Sequence, residues 1–351
     1  MYFVAGKDYE GSLLLKSLGA AQIRLALLDG DAVVASHTWH LDVGWSSLDF
    51  KLTANTSSHC ALVQRGEHIS CMDTKEVPKN CYLCSGGFQI MVQGEVLLDQ
   101  AFLQPGPWGR FRNLPVRRDV VEAIQRSGWQ TLRLGGSMCN AAGYRWKRFR
   151  GHQRQPYKGW WHPIASSSFR IFETLELCEA AEVQCVITLS NEESPKDMAD
   201  FLEYCFASKE TTWGFQRMRD GRQKPYQMFT LEIGNEQKLE MLLVQQVQAI
   251  AAAMQQRAEQ LQLPMPRLVV GQNIARQLNF EGQGRRVTSA MLEVLKAFSS
   301  AWDAHIGGDA FEDVEDFKQL LNVSSSFFQQ FGQTKMVVLE ENGFTHDLKR
   351  A

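Results

Sequence analysis

No run of apolar residues in the 351-residue sequence approaches the roughly 18–20 needed to cross a bilayer, so no membrane-spanning helix is expected. Net charge is nearly absent as well. The 37 Lys and Arg are balanced by 39 Asp and Glu, a formal −2, which removes the electrostatic reason to expect nucleic acid or an anionic membrane as partner. Met1-Tyr-Phe-Val-Ala lacks the basic flank and long apolar stretch of a signal peptide, and the sequence assigns no compartment. Among the eight cysteines a single Cys-x-x-Cys, Cys81 and Cys84, has no second pair at zinc spacing; it reads as two half-buried thiols or a local disulfide. His305 has no second ligand nearby at metal spacing, and Gly135-Gly136 lacks both the Gly-x-Gly-x-x-Gly and the P-loop patterns. Neither a metal nor an organic cofactor is therefore expected.

What remains is an ordinary globular composition, 44% hydrophobic and 22% charged, long enough for one large α/β domain and a smaller β domain. Residues 1–104 hold short alternating segments, Ser12 to Lys16, Gln22 to Leu28, Ala32 to Leu41, Ser47 to Leu52, Phe88 to Val92 and Val96 to Leu103, separated by turn residues. That spacing predicts an antiparallel β-sandwich. Its last strand stops at Gln104-Pro-Gly-Pro, where the domain boundary is placed. Trp39, His40 and Trp45 form either a sugar-binding face or part of the sandwich core, with core favoured.

From 105 to 351 helices alternate with short apolar strands, the pattern of a parallel α/β sheet. Strands are expected at Thr131 to Leu134, Val183 to Leu189, Tyr226 to Glu236, Leu268 to Val270, Trp302 to Ile306 and Met336 to Leu339. Helices are expected at Arg117 to Ser127, Phe169 to Ala181, Pro195 to Phe206, Leu239 to Leu261, Ser289 to Phe298 and Val314 to Phe331. The basic run Arg145-Trp-Lys-Arg-Phe-Arg reads as a solvated or substrate-facing loop.

Three polar groups fall just after strands: Arg133 with Gly135-Gly136, Asn235-Glu236, and Glu340-Glu341. Cleavage of a glycosidic bond uses one protonated and one ionised carboxyl group, and strands of a closed barrel aim such groups at one axis. Glu236 and Glu341 are candidates for that pair, although a Glu after a strand is more often a solvated loop residue.

The segments Leu132-Arg-Leu-Gly-Gly-Ser, Tyr144-Arg-Trp-Lys, Asp200-Phe-Leu-Glu-Tyr-Cys, Trp213-Gly, Pro225-Tyr and Glu232-Ile-Gly-Asn-Glu resemble, in this order, the α-L-arabinofuranosidases of glycoside hydrolase family 51. The resemblance implies a (β/α)8-type TIM barrel after a carbohydrate-binding-module-like sandwich, and a retaining hydrolase acting on arabinose-containing carbohydrate. It implies Glu236 as acid/base, Glu341 as nucleophile with Glu340 as fallback, Asn235 as a sugar-hydroxyl partner and Arg133 as support for the nucleophile. It also places His305 and Trp160 at the substrate.

The sequence departs from the family at Gly307, where a Tyr is usual, and after Glu341, where an aromatic is usual. Matched to the family pattern, the chain carries barrel strands two to seven. The alternative reading is a non-catalytic carbohydrate-binding homologue, or another specificity among the related barrel glycosidases.

Overall fold

The computed structural model describes residues 2–62, 82–151, 156–161, 163–165, 169–272, 282–304, 306–307, 329, 336–337 and 341–342. The chain divides into two compact units, Met1–Ala123 and Ile124–Ala351. The first keeps residues beyond Gln104 because they bond back to its first strand: Trp108 Nε1 donates to the Asp8 carbonyl at 2.7 Å and Arg110 pairs with Glu10 at 2.8 Å.

The first unit is built on two three-stranded antiparallel sheets. One has the order β4 (Gly44–Thr53), β1 (Asp8–Ser17), β8 (Val96–Pro105); the other is β3 (Ala32–Leu41), β2 (Ala21–Asp29), β7 (Gly86–Gln93). Alternation decides what is buried: Tyr9, Leu13 and Leu15 of β1 pack with Ile23 and Leu25 of β2 and with Phe50 and Leu52 of β4, the inward set of each pleat. Trp39 joins this core, tilted against Phe50 at 6.4 Å, whereas Trp45 is 60% exposed. A short pair, β5 (Cys60–Leu62) with β6 (Tyr82–Cys84), is closed by a disulfide between Cys60 and Cys84. The local reading of Cys81 with Cys84 is thereby corrected: antiparallel register puts Cys60 directly opposite Cys84, and Cys81 lies outside the described residues.

The second unit carries a six-stranded parallel sheet in strict chain order: β9 (Thr131–Leu134), β10 (Gln184–Leu189), β11 (Thr230–Ile233), β12 (Arg267–Gln272), β13 (Ala301–Ala304) and β15 (Met336–Val337). Sequential order without reversal is how strands of a (β/α) barrel wall succeed one another, and a doubly wound sheet would reverse partway. A second parallel pair, β14 (Ile306–Gly307) with β16 (Glu341–Asn342), continues past the ends of β13 and β15. Helix α1 (Arg118–Arg126) precedes the sheet. The helices α2 (Ile171–Ala181), α3 (Pro195–Phe206), α4 (Thr212–Arg219), α5 (Met241–Leu261) and α6 (Gly282–Ala297) fall between its strands in chain order. Pro195 opens α3 and the Ser194 hydroxyl caps it, accepting from the Asp197 N–H at 3.0 Å. On α5, Leu243, Val247, Ile250, Met254 and Ala258 recur at helical spacing and are all buried, so one stripe faces the sheet. Four described cysteines of this unit, Cys139, Cys178, Cys185 and Cys205, are free and buried.

The expected strand from Tyr226 shortens to Thr230–Ile233; Tyr226 packs instead on Phe172, with the Arg222 guanidinium 3.9 Å from its ring centroid. The helix expected at Val314 to Phe331 falls outside the described residues except for Gln329.

Candidate active site

The site is assembled at the C-terminal ends of β9, β10 and β11. In the parallel register Thr188 lies beside Glu232, and both side chains are fully buried. Arg133 reaches from β9 across β10 to the same carboxylate. Its Nε donates to Glu232 Oε2 at 2.7 Å and its Nη2 to Oε1 at 2.9 Å, and the Thr188 hydroxyl also donates to Oε2. A bidentate guanidinium and a hydroxyl supply the hydrogen bonds that make a buried carboxylate tolerable.

Two glycines make the close approach possible. Gly135, at φ 145°, faces Thr188 so closely that any Cβ would overlap it. Gly234 ends β11 at φ 73°, a left-handed conformation that costs glycine little, and turns the chain so that Asn235 and Glu236 project beyond the strand. Glu236 itself takes φ 50°, which is strained for a residue with a side chain; such strain collects at functional sites.

Asn235 is fully buried, its Oδ1 accepting from Arg133 Nη2 at 2.7 Å and its Nδ2 lying 3.5 Å from the Ser137 hydroxyl. Its backbone carbonyl accepts from Gln237 Nε2 at 2.9 Å and from Asn140 Nδ2 at 3.4 Å, and Gln237 also donates to Asn140 Oδ1 at 2.7 Å. The turn carrying Glu236 is thus tied to the loop after β9 by side chains on both sides, while Glu236 is itself only partly buried.

Of the residues singled out in the sequence, Arg133 and Asn235 are hydrogen-bonded to each other, and Glu236 follows Asn235 in the chain. Sequence reasoning missed Glu232, Thr188, Ser137, Asn140 and Gln237. The available signal was a polar residue at the centre of each apolar strand, Thr188 in Cys-Val-Ile-Thr-Leu and Glu232 in Leu-Glu-Ile, where an unpaired polar group is costly. Arg133 was expected beside the nucleophile, and its described partners are Glu232 and Asn235. The Glu341 backbone pairs in register with Ile306, so the segments following β13 and β15 run side by side. Glu340 and His305 lie outside the described residues. Trp160 is 53% exposed and meets Trp161 edge to face at 6.5 Å.

The basic run is not a solvated face. Arg145 pairs with Glu192 at 2.7 Å, Lys147 with Asp200 at 2.7 Å and with Asp197, and Arg150 with Asp220 at 2.8 Å. Trp146, fully buried between them, stacks among Phe201, Tyr204 and Trp213 and donates from Nε1 to the Asp197 carbonyl at 2.9 Å. Tyr144-Arg-Trp-Lys and Asp200-Phe-Leu-Glu-Tyr-Cys are therefore two halves of one clasp that holds the loop after β9 to α3. Nearby, Glu193 is buried and accepts from the Trp146 N–H at 2.9 Å; burial pushes its carboxyl up to about 7, with that hydrogen bond and Arg145 pulling the other way. Glu193 also lines an open cleft of about 380 Å³ with Asn191, Gln245 and Gln246.

The family model described as "Alpha-L-arabinofuranosidase 1 domain" matches residues 125–279, the stretch that holds this site. Over that stretch the chain is similar to the α-L-arabinofuranosidases. Solved structures with the same fold include a family 51 α-L-arabinofuranosidase from Bifidobacterium longum (18% identity, TM-score 0.52, covering 67% of this chain and 51% of that one). A second is the thermostable family 51 α-L-arabinofuranosidase from Thermotoga petrophila (18% identity, TM-score 0.52, covering 68% and 50%). A third is the family 51 arabinofuranosidase from Xanthomonas axonopodis pv. citri (17% identity, TM-score 0.50, covering 67% and 52%). The chain spans about half the length of these structures. No curated protein matches it in sequence.

Proposed function

We propose that the chain is a retaining glycoside hydrolase that releases α-L-arabinofuranosyl residues from arabinose-containing oligosaccharides or polysaccharides. The observation that carries this reading is the Asn235-Glu236 turn at the C-terminal end of β11, held by Arg133 within the span matched by the arabinofuranosidase family model. In this reading Glu341 attacks the anomeric carbon as the bond to the leaving oxygen breaks and Glu236 delivers its proton to that oxygen. A glycosyl ester on Glu341 results. Glu236, now ionised, takes a proton from water, whose oxygen attacks the anomeric carbon and frees Glu341. Retention asks for carboxyl groups about 5–5.5 Å apart. Asn235 binds a ring hydroxyl, and His305 and Trp160 contribute to the substrate surface.

Release of p-nitrophenol from p-nitrophenyl α-L-arabinofuranoside tests the reading. Loss of turnover in both Glu236→Gln and Glu341→Gln supports it, with azide rescuing a truncated nucleophile. If Glu341→Gln keeps full activity and Glu340→Gln abolishes it, the nucleophile moves by one residue. Sugar binding by an intact wild-type chain that shows no turnover on any arabinofuranoside supports the non-catalytic alternative.

A further inference from the structure

We infer that Glu232 is a positioning residue of this site, an anionic anchor that acts through Arg133 to set the orientation of the Asn235 amide beside Glu236. The inference rests on the proposed role of the Asn235-Glu236 turn and adds to it a residue to which that mechanism gives no part.

The argument is one of donor and acceptor count. Arg133 has only N–H donors, so whatever it touches must accept. Two of its bonds go to the two oxygens of Glu232 and one, from Nη2, to Asn235. Nη2 has two hydrogens, and Glu232 Oε1 at 2.9 Å and Asn235 Oδ1 at 2.7 Å take them both. The Asn235 carbonyl oxygen is thereby the atom turned toward Arg133, and its NH2 group faces the opposite way. An Asn that could flip would offer a ligand either a donor or an acceptor. This one is held with its NH2 group directed at the Ser137 hydroxyl 3.5 Å away, so a sugar hydroxyl that replaces Ser137 there must accept.

Glu232 decides the matter because it fixes the guanidinium. A planar fork gripped along its Nε–Nη2 edge by a carboxylate has one orientation, and the Thr188 hydroxyl on the same carboxylate removes the remaining freedom. Glu232 lies within β11, four positions before Glu236, so a rigid strand carries both the anchor and the group being served. The arrangement works as a lever: strand β11 holds Glu232, Glu232 holds Arg133, and Arg133 returns to the turn at the end of the same strand.

A structural role alone predicts that stability and activity move together, so the experiment separates them. Melting temperature, kcat and KM on p-nitrophenyl α-L-arabinofuranoside are measured for wild type, Glu232→Gln, Thr188→Val and the double variant Arg133→Leu with Glu232→Leu. A misaligned hydrogen-bond donor costs most in the transition state, so Glu232→Gln is expected to lower kcat by about 10- to 100-fold with KM changed by less than about threefold. Thr188→Val, which leaves the ion pair in place, is expected to lower kcat by about 3- to 10-fold, between wild type and Glu232→Gln. The double variant replaces the buried pair with apolar groups and is expected to recover the melting temperature without recovering kcat. Recovery of both overturns the inference, as does a folded Glu232→Gln with wild-type kcat.

A readout independent of turnover accompanies these. In side-chain NMR of the wild-type protein the Arg133 Nε–H should be protected from exchange, and Glu232→Gln should both expose it and shift the Asn235 side-chain NH2 pair. An unmoved Asn235 pair overturns the inference even when the wild type has no activity, whereas a moved pair in an inactive wild type upholds the inference and counts against the hydrolase reading alone.

Discussion

A Cβ placed on Gly135 would lie 2.1 Å from the Cβ of Thr188, and Gly135 stands at φ 145°, where side chains are rarely tolerated. Gly135→Ala is therefore expected to destabilise the second unit by about 3 kcal/mol, the sum of overpacking and backbone strain. Because Thr188 holds Glu232, the same change should depress activity in whatever fraction remains folded. Denaturant titration measures the first effect, and a loss of less than about 1 kcal/mol would show that β9 moves aside freely.

Glu193 gives stability a pH dependence of unusual sign for a carboxylate. Its folded value, about 7, lies above the ordinary 4.5, so the protonated form is the one the fold favours. Its contribution is complete below pH 4.5 and is lost as pH rises through 7, amounting to about 3 kcal/mol. Glu193→Gln keeps an acceptor for the Trp146 N–H and should flatten stability across that interval. Melting curves from pH 4.5 to pH 8 that are parallel for the two proteins would dispose of this expectation.

Reduction of the Cys60–Cys84 bridge opens a loop with a sequence separation of 24. Loop-closure entropy sets the expected loss at about 3 kcal/mol for the first unit, and Cys60→Ala should reproduce it. Tryptophan fluorescence of Trp39 and Trp108, both packed on that core, follows the transition. A midpoint unmoved by reductant would mean that the hairpin contributes nothing to the sandwich.

Glu236 occupies φ 50°, and only glycine adopts that conformation without cost. Glu236→Gly is expected to be more stable than Glu236→Gln by about 1 kcal/mol, with neither hydrolysing an arabinofuranoside. Equal stability would indicate that the turn relaxes once the carboxylate is gone.

Periodicity made most of the framework legible. Helix α3 was bounded at Pro195 and Phe206 because its cap chemistry is local, and β9 because the alternating Thr-Leu-Arg-Leu stands between Gly128 and Gly135-Gly136. Helix α4 was missed: Trp213-Gly-Phe reads as a breaker, yet Gly214 is needed there because a Cβ would strike the Ser208 carbonyl. Helix α6 begins at Gly282, ahead of the expected Ser289, where two glycines mask helical propensity. The partner of Cys84 was unreadable because it is set by the register of two strands far apart in sequence. Glu232 stood in a quoted motif but carried no role, since its role comes from a guanidinium on another strand.

The cysteines fall out in a way that serves the experimenter. The disulfide belongs to the first unit, while Cys139, Cys178, Cys185 and Cys205, all free and buried, belong to the second, where burial pushes the Cys139 thiol up to about 12. A reductant therefore probes one half of the chain, and alkylation at those four sulfurs clocks the opening of the other. Mass spectrometry of a single pulse-labelled sample can assign each unfolding event to its unit without a mutation or a dye.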